Sequence, residues 1–215
     1  MTINWEDYSG VYIHDGLAPE NTIERFKKRR QALLAHTKKL TIISGVSQLP
    51  DSHYPWLNAD IPLLQDPLFL YLTGLNQHPA ILLLNPFHKT EKTQLFLAKK
   101  DSQKEFWSGI QLGYRPEDIA MIKKITGCDG IYPIADFSKQ LKSILAKDKV
   151  NDIIMPWTLK IKKQKQVKDH HFNFQKKVVR LVSKNVKVKP LSGFSQKRLC
   201  LDKTDQANLK KANNI

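Results

Sequence analysis

Three short apolar runs follow one another in the middle of the chain: FLYLTG (69–74), AILLL (80–84) and TQLFLA (93–98). Only LNQHP and NPFHKTEK separate them, and both are rich in turn formers. Runs joined this tightly predict three strands in an antiparallel meander. A meander with apolar residues needs cover, and the flanking sequence supplies it as helices alternating with further strands.

Asn21, with Glu24 three residues later, has the form of a capping box ahead of TIERFKKRRQALLAH. Ile23, Phe26, Arg30, Leu33 and Leu34 fall near helical spacing, which predicts a helix from about Thr22 to His36. LTIISG (40–45) reads as a short buried strand, and the proline-rich stretch 47–67 as a long loop. Pro116 opens a helix that Gly127 closes, and GIYPI (130–134) is a strand. Asp136 starts or caps a helix whose face is Phe137, Leu141 and Leu145, and DIIMP (152–156) is a strand. Val167, His171, Phe174, Val178 and Leu181 repeat at helical spacing, VKVKPLSG (186–193) is a final strand, and TDQANLKKANNI (204–215) has helical character. The fold class is α/β: a mixed sheet flanked by helices.

Charge is unevenly spread. Of the net +15, residues 151–215 supply 16 Lys and Arg against 4 Asp and Glu. A basic third can serve nucleic acid or an acidic partner. Here the basic residues are interleaved with apolar ones at helical spacing and no nucleic-acid motif accompanies them, so the expectation is a solvated face and no nucleic-acid partner. No apolar run has membrane-spanning length, and MTINWEDYSG is not a secretory leader, so no membrane partner is expected. Cys128 and Cys200 provide neither a disulfide framework nor a metal pairing, which makes a reducing cytoplasm the default.

Residue chemistry alone points to no active site. There is no H-E-x-x-H, no phosphate-binding glycine loop and no G-x-S-x-G. His53, His78 and His88 sit beside turn signals, and the adjacent His170 and His171 point in different directions on a helix. Asp51, Asp60 and Asp66 share the long loop, but three acids on a proline-rich loop are ordinary solubility features. The odd residue is Trp107, a large indole in KEFWSGIQLGYRPED (104–118), a solvent-friendly stretch with two glycines and three acids.

Three stretches together, RRQALLAH (29–36), QDPLFLYLTGLNQHPAILLL (65–84) and EFWSGIQLG (105–113), resemble the N-terminal domain of the Xaa-Pro aminopeptidases, the aminopeptidase P family. The family pattern R-Q-D-S-x-F-x-Y-L-T-G-x-x-x-P-x-A, followed by E-x-W-x-G-x-x-x-G, matches in order and spacing from about residue 22 to 147. Leu64 and Pro67 depart from it. The tail resembles the linker and first helix of the family's catalytic, pita-bread domain through Arg198, Leu199, Leu209, Lys210, Lys211, Ala212 and Ile215, with Gln206 where an apolar residue is usual.

The resemblance implies a three-layer, ribonuclease H-like domain, with residues 1–21 as lead-in, 22–195 as the N-terminal domain, and 196–215 as linker and first catalytic-domain helix. It implies that the family's two divalent metals, manganese as the expected ion, are held by ligands of the catalytic domain, with none of the metal ligands in this chain. The domain's expected work is oligomerisation, as a homo-oligomer, and shaping a cleft for peptides with proline in second position. Trp107 would reach towards a neighbouring subunit's active site, its face suited to a proline ring. Asn58 or Asp60 would match the family's acidic residue near the substrate amine. Two other readings remain: a non-catalytic protein- or nucleic-acid-binding module using the basic C-terminal region, and a creatine-type amidinohydrolase domain. The paired Y-L-T-G and E-x-W-x-G motifs favour the peptidase.

Overall fold

A computed structural model describes residues 19–45, 66–75, 79–101, 103, 112–148, 150–156, 170–183 and 185–193. The elements run α1 (Pro19–Thr37), β1 (Leu40–Gly45), α2 (Pro67–Thr73), β2 (Ala80–Leu84), β3 (Thr93–Leu97), α3 (Ile119–Thr126, led by a 3-10 turn at Pro116–Asp118), β4 (Gly130–Pro133), α4 (Phe137–Lys147), β5 (Asp152–Met155), α5 (His170–Leu181) and β6 (Lys187–Pro190).

Among the described residues the strands form one six-stranded sheet in the order β4-β3-β2-β1-β5-β6. Of these six, only β2 runs against the others: it is antiparallel to both β1 and β3, while β3–β4, β1–β5 and β5–β6 are parallel. The central strands are buried on both faces, which is why AILLL is apolar at every position rather than alternating. Leu82, Leu84, Leu95 and Ile131 face one apolar layer with Leu33 of α1, Phe69 and Leu72 of α2 and Ile122 of α3. Ile42, Ile81, Leu83, Phe96 and Ile153 face the other, with Phe137, Leu141 and Ile144 of α4 and Val178 of α5. Phe96 meets Phe137 edge-on, with ring centroids 5.3 Å apart, and lies nearly parallel to Tyr132 at 5.5 Å; both geometries suit the ring quadrupole. The expected three-layer α/β architecture is present.

Three local expectations are corrected. FLYLTG is not a strand: Leu68–Thr73 belong to α2. Asp66 accepts a hydrogen bond from Phe69 N–H at 2.8 Å, Pro67 opens the helix, and Gly74 closes it with φ 69°. These stop and start groups outweigh the β-propensity of Phe, Tyr and Leu over so short a run. The antiparallel trio therefore consists of β1, β2 and β3. Asp66, grouped from sequence with the loop acids, is a buried helix cap. The first helix also begins at Pro19, so Asn21 lies inside it rather than capping it; a proline fits the first turn, where its missing N–H costs nothing. Of the amphipathic fifth helix, Val167 lies outside the described residues, whereas Phe174, Val178 and Leu181 pack as expected.

One charge sits within the apolar stripe of α1. Arg30 is fully buried. Its guanidinium donates to Leu72 O at 2.9 Å, Thr126 O at 3.0 Å and Gly127 O at 2.8 Å. These carbonyls belong to the C-terminal ends of α2 and α3, where helical carbonyls lack intrahelical partners and partial negative charge accumulates. A single planar fork thus ties three helices together.

Candidate functional site at the carboxyl end of the sheet

The register aligns Gly45, Ala80, Leu97 and Pro133 in one row across β1, β2, β3 and β4. Since β1, β3 and β4 are codirectional, this row marks their carboxyl ends. Adjacent strands are about 4.8 Å apart, so the exits of β1 and β3 are separated by about 10 Å. The connection leaving β1 leads to Asp66 and contains Asn58 and Asp60; the connection leaving β3 leads to Leu112 and contains Trp107. Ligands of open α/β sheets bind outside the carboxyl ends of the strands.

Trp107, Asn58 and Asp60 themselves lie outside the described residues. So do Asp51, His53 and His78, and the tail residues 194–215.

The groups around these exits are well anchored. Leu112 is buried in the apolar layer under α1, α2 and α3. The Arg115 guanidinium forks onto Asp118, with Nε to Oδ2 at 2.8 Å and Nη2 to Oδ1 at 3.0 Å, at the entry to α3. Next to α2, Arg29 stacks over the Tyr71 ring at 4.0 Å and donates to Tyr71 O at 3.1 Å. A Cβ on Gly74 would fall 2.5 Å from the Phe26 ring, so the Y-L-T-G turn is fitted against α1. The motif's partners come from α1, about 45 residues earlier, beyond the reach of any local sequence pattern.

At the opposite end of the sheet the ionisable groups serve structure. Asp129 accepts from Thr93 N–H and Thr93 Oγ1, each at 2.8 Å. His88 Nδ1 accepts from Glu91 N–H at 2.8 Å, which pins the turn between β2 and β3. The Tyr132 hydroxyl donates to the Glu91 carboxylate; burial first and this bond second push its pKa up to about 12. Asp152 bridges Lys189 at 2.9 Å and Lys39 at 2.5 Å, and these two ammonium groups hold its carboxyl below the usual range. Among the described residues no three His, Cys, Asp or Glu side chains gather to hold a metal ion. Among the same residues no helix is long and apolar enough to cross a membrane.

Comparison with known proteins agrees with this architecture. The family model for the N-terminal domain of aminopeptidase P matches residues 26–154, more than half of the 215. A Xaa-Pro aminopeptidase of Haemophilus influenzae is 29% identical over 122 residues, 57% of this chain and 27% of the relative. The chain thus spans about a quarter of that relative's length. A structure from Bacillus anthracis assigned as an aminopeptidase P superposes with a TM-score of 0.60 at 21% identity, covering 78% of this chain and 38% of the other. The aminopeptidase PepP of Pseudomonas aeruginosa gives 0.59 at 17% identity, covering 80% and 37%. These two likenesses speak for the fold, and the family match spans α1 to β5, the strands whose ends define the site. The chain belongs to the aminopeptidase P N-terminal domain family.

Proposed function

We propose that this domain is the non-catalytic wall of an Xaa-Pro aminopeptidase-like metallopeptidase, which removes an N-terminal residue preceding proline. In this reading the divalent metals, manganese as the expected ion, and the residues that activate water belong to a separate catalytic domain. This chain contributes cleft surface and contacts between subunits of a homo-oligomer in the cytoplasm. Trp107 supplies an apolar face for the substrate's proline ring, and Asn58 or Asp60 a polar group near its amine. The observation that carries the reading is the shared exit of β1 and β3: the connections bearing all three residues start about 10 Å apart at the end of the sheet where α/β proteins bind ligands.

The test is turnover of a peptide with proline in second position by the protein in which this domain accompanies its metal-bearing domain. At roughly 25 cal/mol per Å² of apolar surface removed from water, an indole face covering about 20–50 Å² of the proline ring contributes about 0.5–1.3 kcal/mol. Trp107→Ala should therefore lower kcat/KM roughly 2- to 10-fold while bound metal stays constant. An unchanged kcat/KM would refute the cleft role.

A further inference from the structure

The connection carrying Trp107 leaves and re-enters the domain through a short parallel stem. Just beyond β3, Tyr114 N–H donates to Ala98 O at 2.7 Å and Lys100 N–H donates to Tyr114 O at 3.1 Å, with Lys99 and Tyr114 bridged in parallel sense. The neighbour of Tyr114 is Gly113. A Cβ built on it would lie 2.6 Å from Lys100 Cα and 2.9 Å from both Lys100 N and Lys100 Cβ. The obstructing atoms are mostly backbone, so no change of rotamer relieves the contact. Gly113 is not in the left-handed region; it is glycine because two backbones approach closely, not because the turn needs an unusual dihedral. The returning foot has no freedom to retreat. Leu112 on one side is 3% exposed and held in the apolar layer, and Arg115 on the other is forked onto Asp118.

We propose that Gly113 is a positioning residue for Trp107: its bare backbone lets residues 112–114 lie against 98–100, which sets where the intervening connection departs from and returns to the carboxyl end of β3. The inference rests on the reading of Trp107 as a cleft residue. A methyl group at position 113 must open the stem by about 1 Å to reach ordinary contact distance. Because the effect runs through Trp107, a misplacement of that size should cost no more than loss of the ring itself, roughly 2- to 10-fold in kcat/KM.

Two readouts test it. In the full chain labelled with 5-fluorotryptophan, four fluorine resonances arise from the four tryptophans, and Trp107→Phe identifies one by deletion. Gly113→Ala should shift that resonance and leave the other three in place; a Trp107 signal that stays put overturns the proposal, as does a uniform shift of all four. In the protein that includes the metal-bearing domain, Gly113→Ala should lower kcat/KM for the Xaa-Pro peptide, and adding Trp107→Ala should lower it no further than the worse single change. Multiplying losses overturn the proposal. If the fluorine signal shifts but Trp107→Ala leaves turnover intact, the positioning role stands and the cleft reading is the one that fails. If Gly113→Ala does not fold, hydrogen exchange in the unaltered chain decides. The Lys100 and Tyr114 amides should be protected like those of β3, and exchange at unprotected rates overturns the stem.

Discussion

Replacing Arg30 by methionine removes the charge at the junction of three helices while keeping a long apolar stem. Exchanging a buried ion for an apolar side chain is often harmless when its partners can be exchanged as well. Here the partners are backbone carbonyls of Leu72, Thr126 and Gly127, which no substitution removes. Each buried acceptor left unsatisfied costs about 1–3 kcal/mol. Leu72 O and Thr126 O are bound in buried contacts and Gly127 O in a part-buried one; together they give about 3 kcal/mol, after allowance for the guanidinium desolvation that is no longer required. In urea, with a slope of about 2–3 kcal/mol/M, the midpoint should fall by about 1–1.5 M. Circular dichroism at 222 nm on the purified chain reads this directly. Arg30→Lys should recover only part, since an ammonium on a shorter stem cannot fork onto two helix ends. A midpoint for Arg30→Met within about 0.3 M of the unaltered chain, equivalent to less than about 1 kcal/mol, would refute the reasoning.

Gly74→Ala combines a left-handed φ of 69° with a Cβ placed 2.5 Å from the Phe26 ring. The backbone alone costs about 1–2 kcal/mol, so a thermal midpoint lowered by less than about 2 °C would show that the helix end relaxes freely. Tyr132, with its folded pKa raised to about 12, favours the neutral phenol. Its contribution to stability is complete below pH 10 and disappears as pH rises from about 10 to 12. The absorbance of ionised tyrosine, compared between the unaltered chain and Tyr132→Phe, should show no Tyr132 ionisation near pH 10 while the chain is folded.

Strand by strand, the sheet was legible because each buried strand here is a compact apolar run bounded by turn residues. LTIISG, AILLL, TQLFLA, GIYPI and DIIMP each contain the strand they predicted, and so does VKVKPLSG, an exposed edge strand in which Val alternates with Lys rather than forming an apolar run. α2 was misread because a helix of seven residues has fewer than two turns, too few for helical periodicity to show, and Phe, Leu and Tyr favour both states. Its evidence was in the ends: Asp66, Pro67 and Gly74. Arg30 was visible as a charge on an apolar stripe, but its partners lie 42 and 96 residues away, beyond any local pattern. The candidate site was legible only as motifs. Trp107, Asn58 and Asp60 come from family pattern rather than from local chemistry, and the need for glycine at 113 depends on its approach to Lys100, which only the fold creates.

The position of β1 at the seam of the sheet governs how the domain is born. Its pairing with β2 and, through β2, with β3 closes within a stretch of about 60 residues, whereas Leu40 pairs with Ile153 only after 113 further residues. At 5–20 residues per second, a ribosome needs roughly 6–23 s to make that interval. Throughout it one side of the innermost strand has donors and acceptors facing outward with nothing to meet them, the condition under which chains pair with the wrong neighbour. The finished sheet is better protected. Proline ends both outer strands, at Pro133 and Pro190, and Lys187 and Lys189 are exposed on the latter. The vulnerable border of this fold is therefore an inner one, and it is vulnerable in time rather than in space.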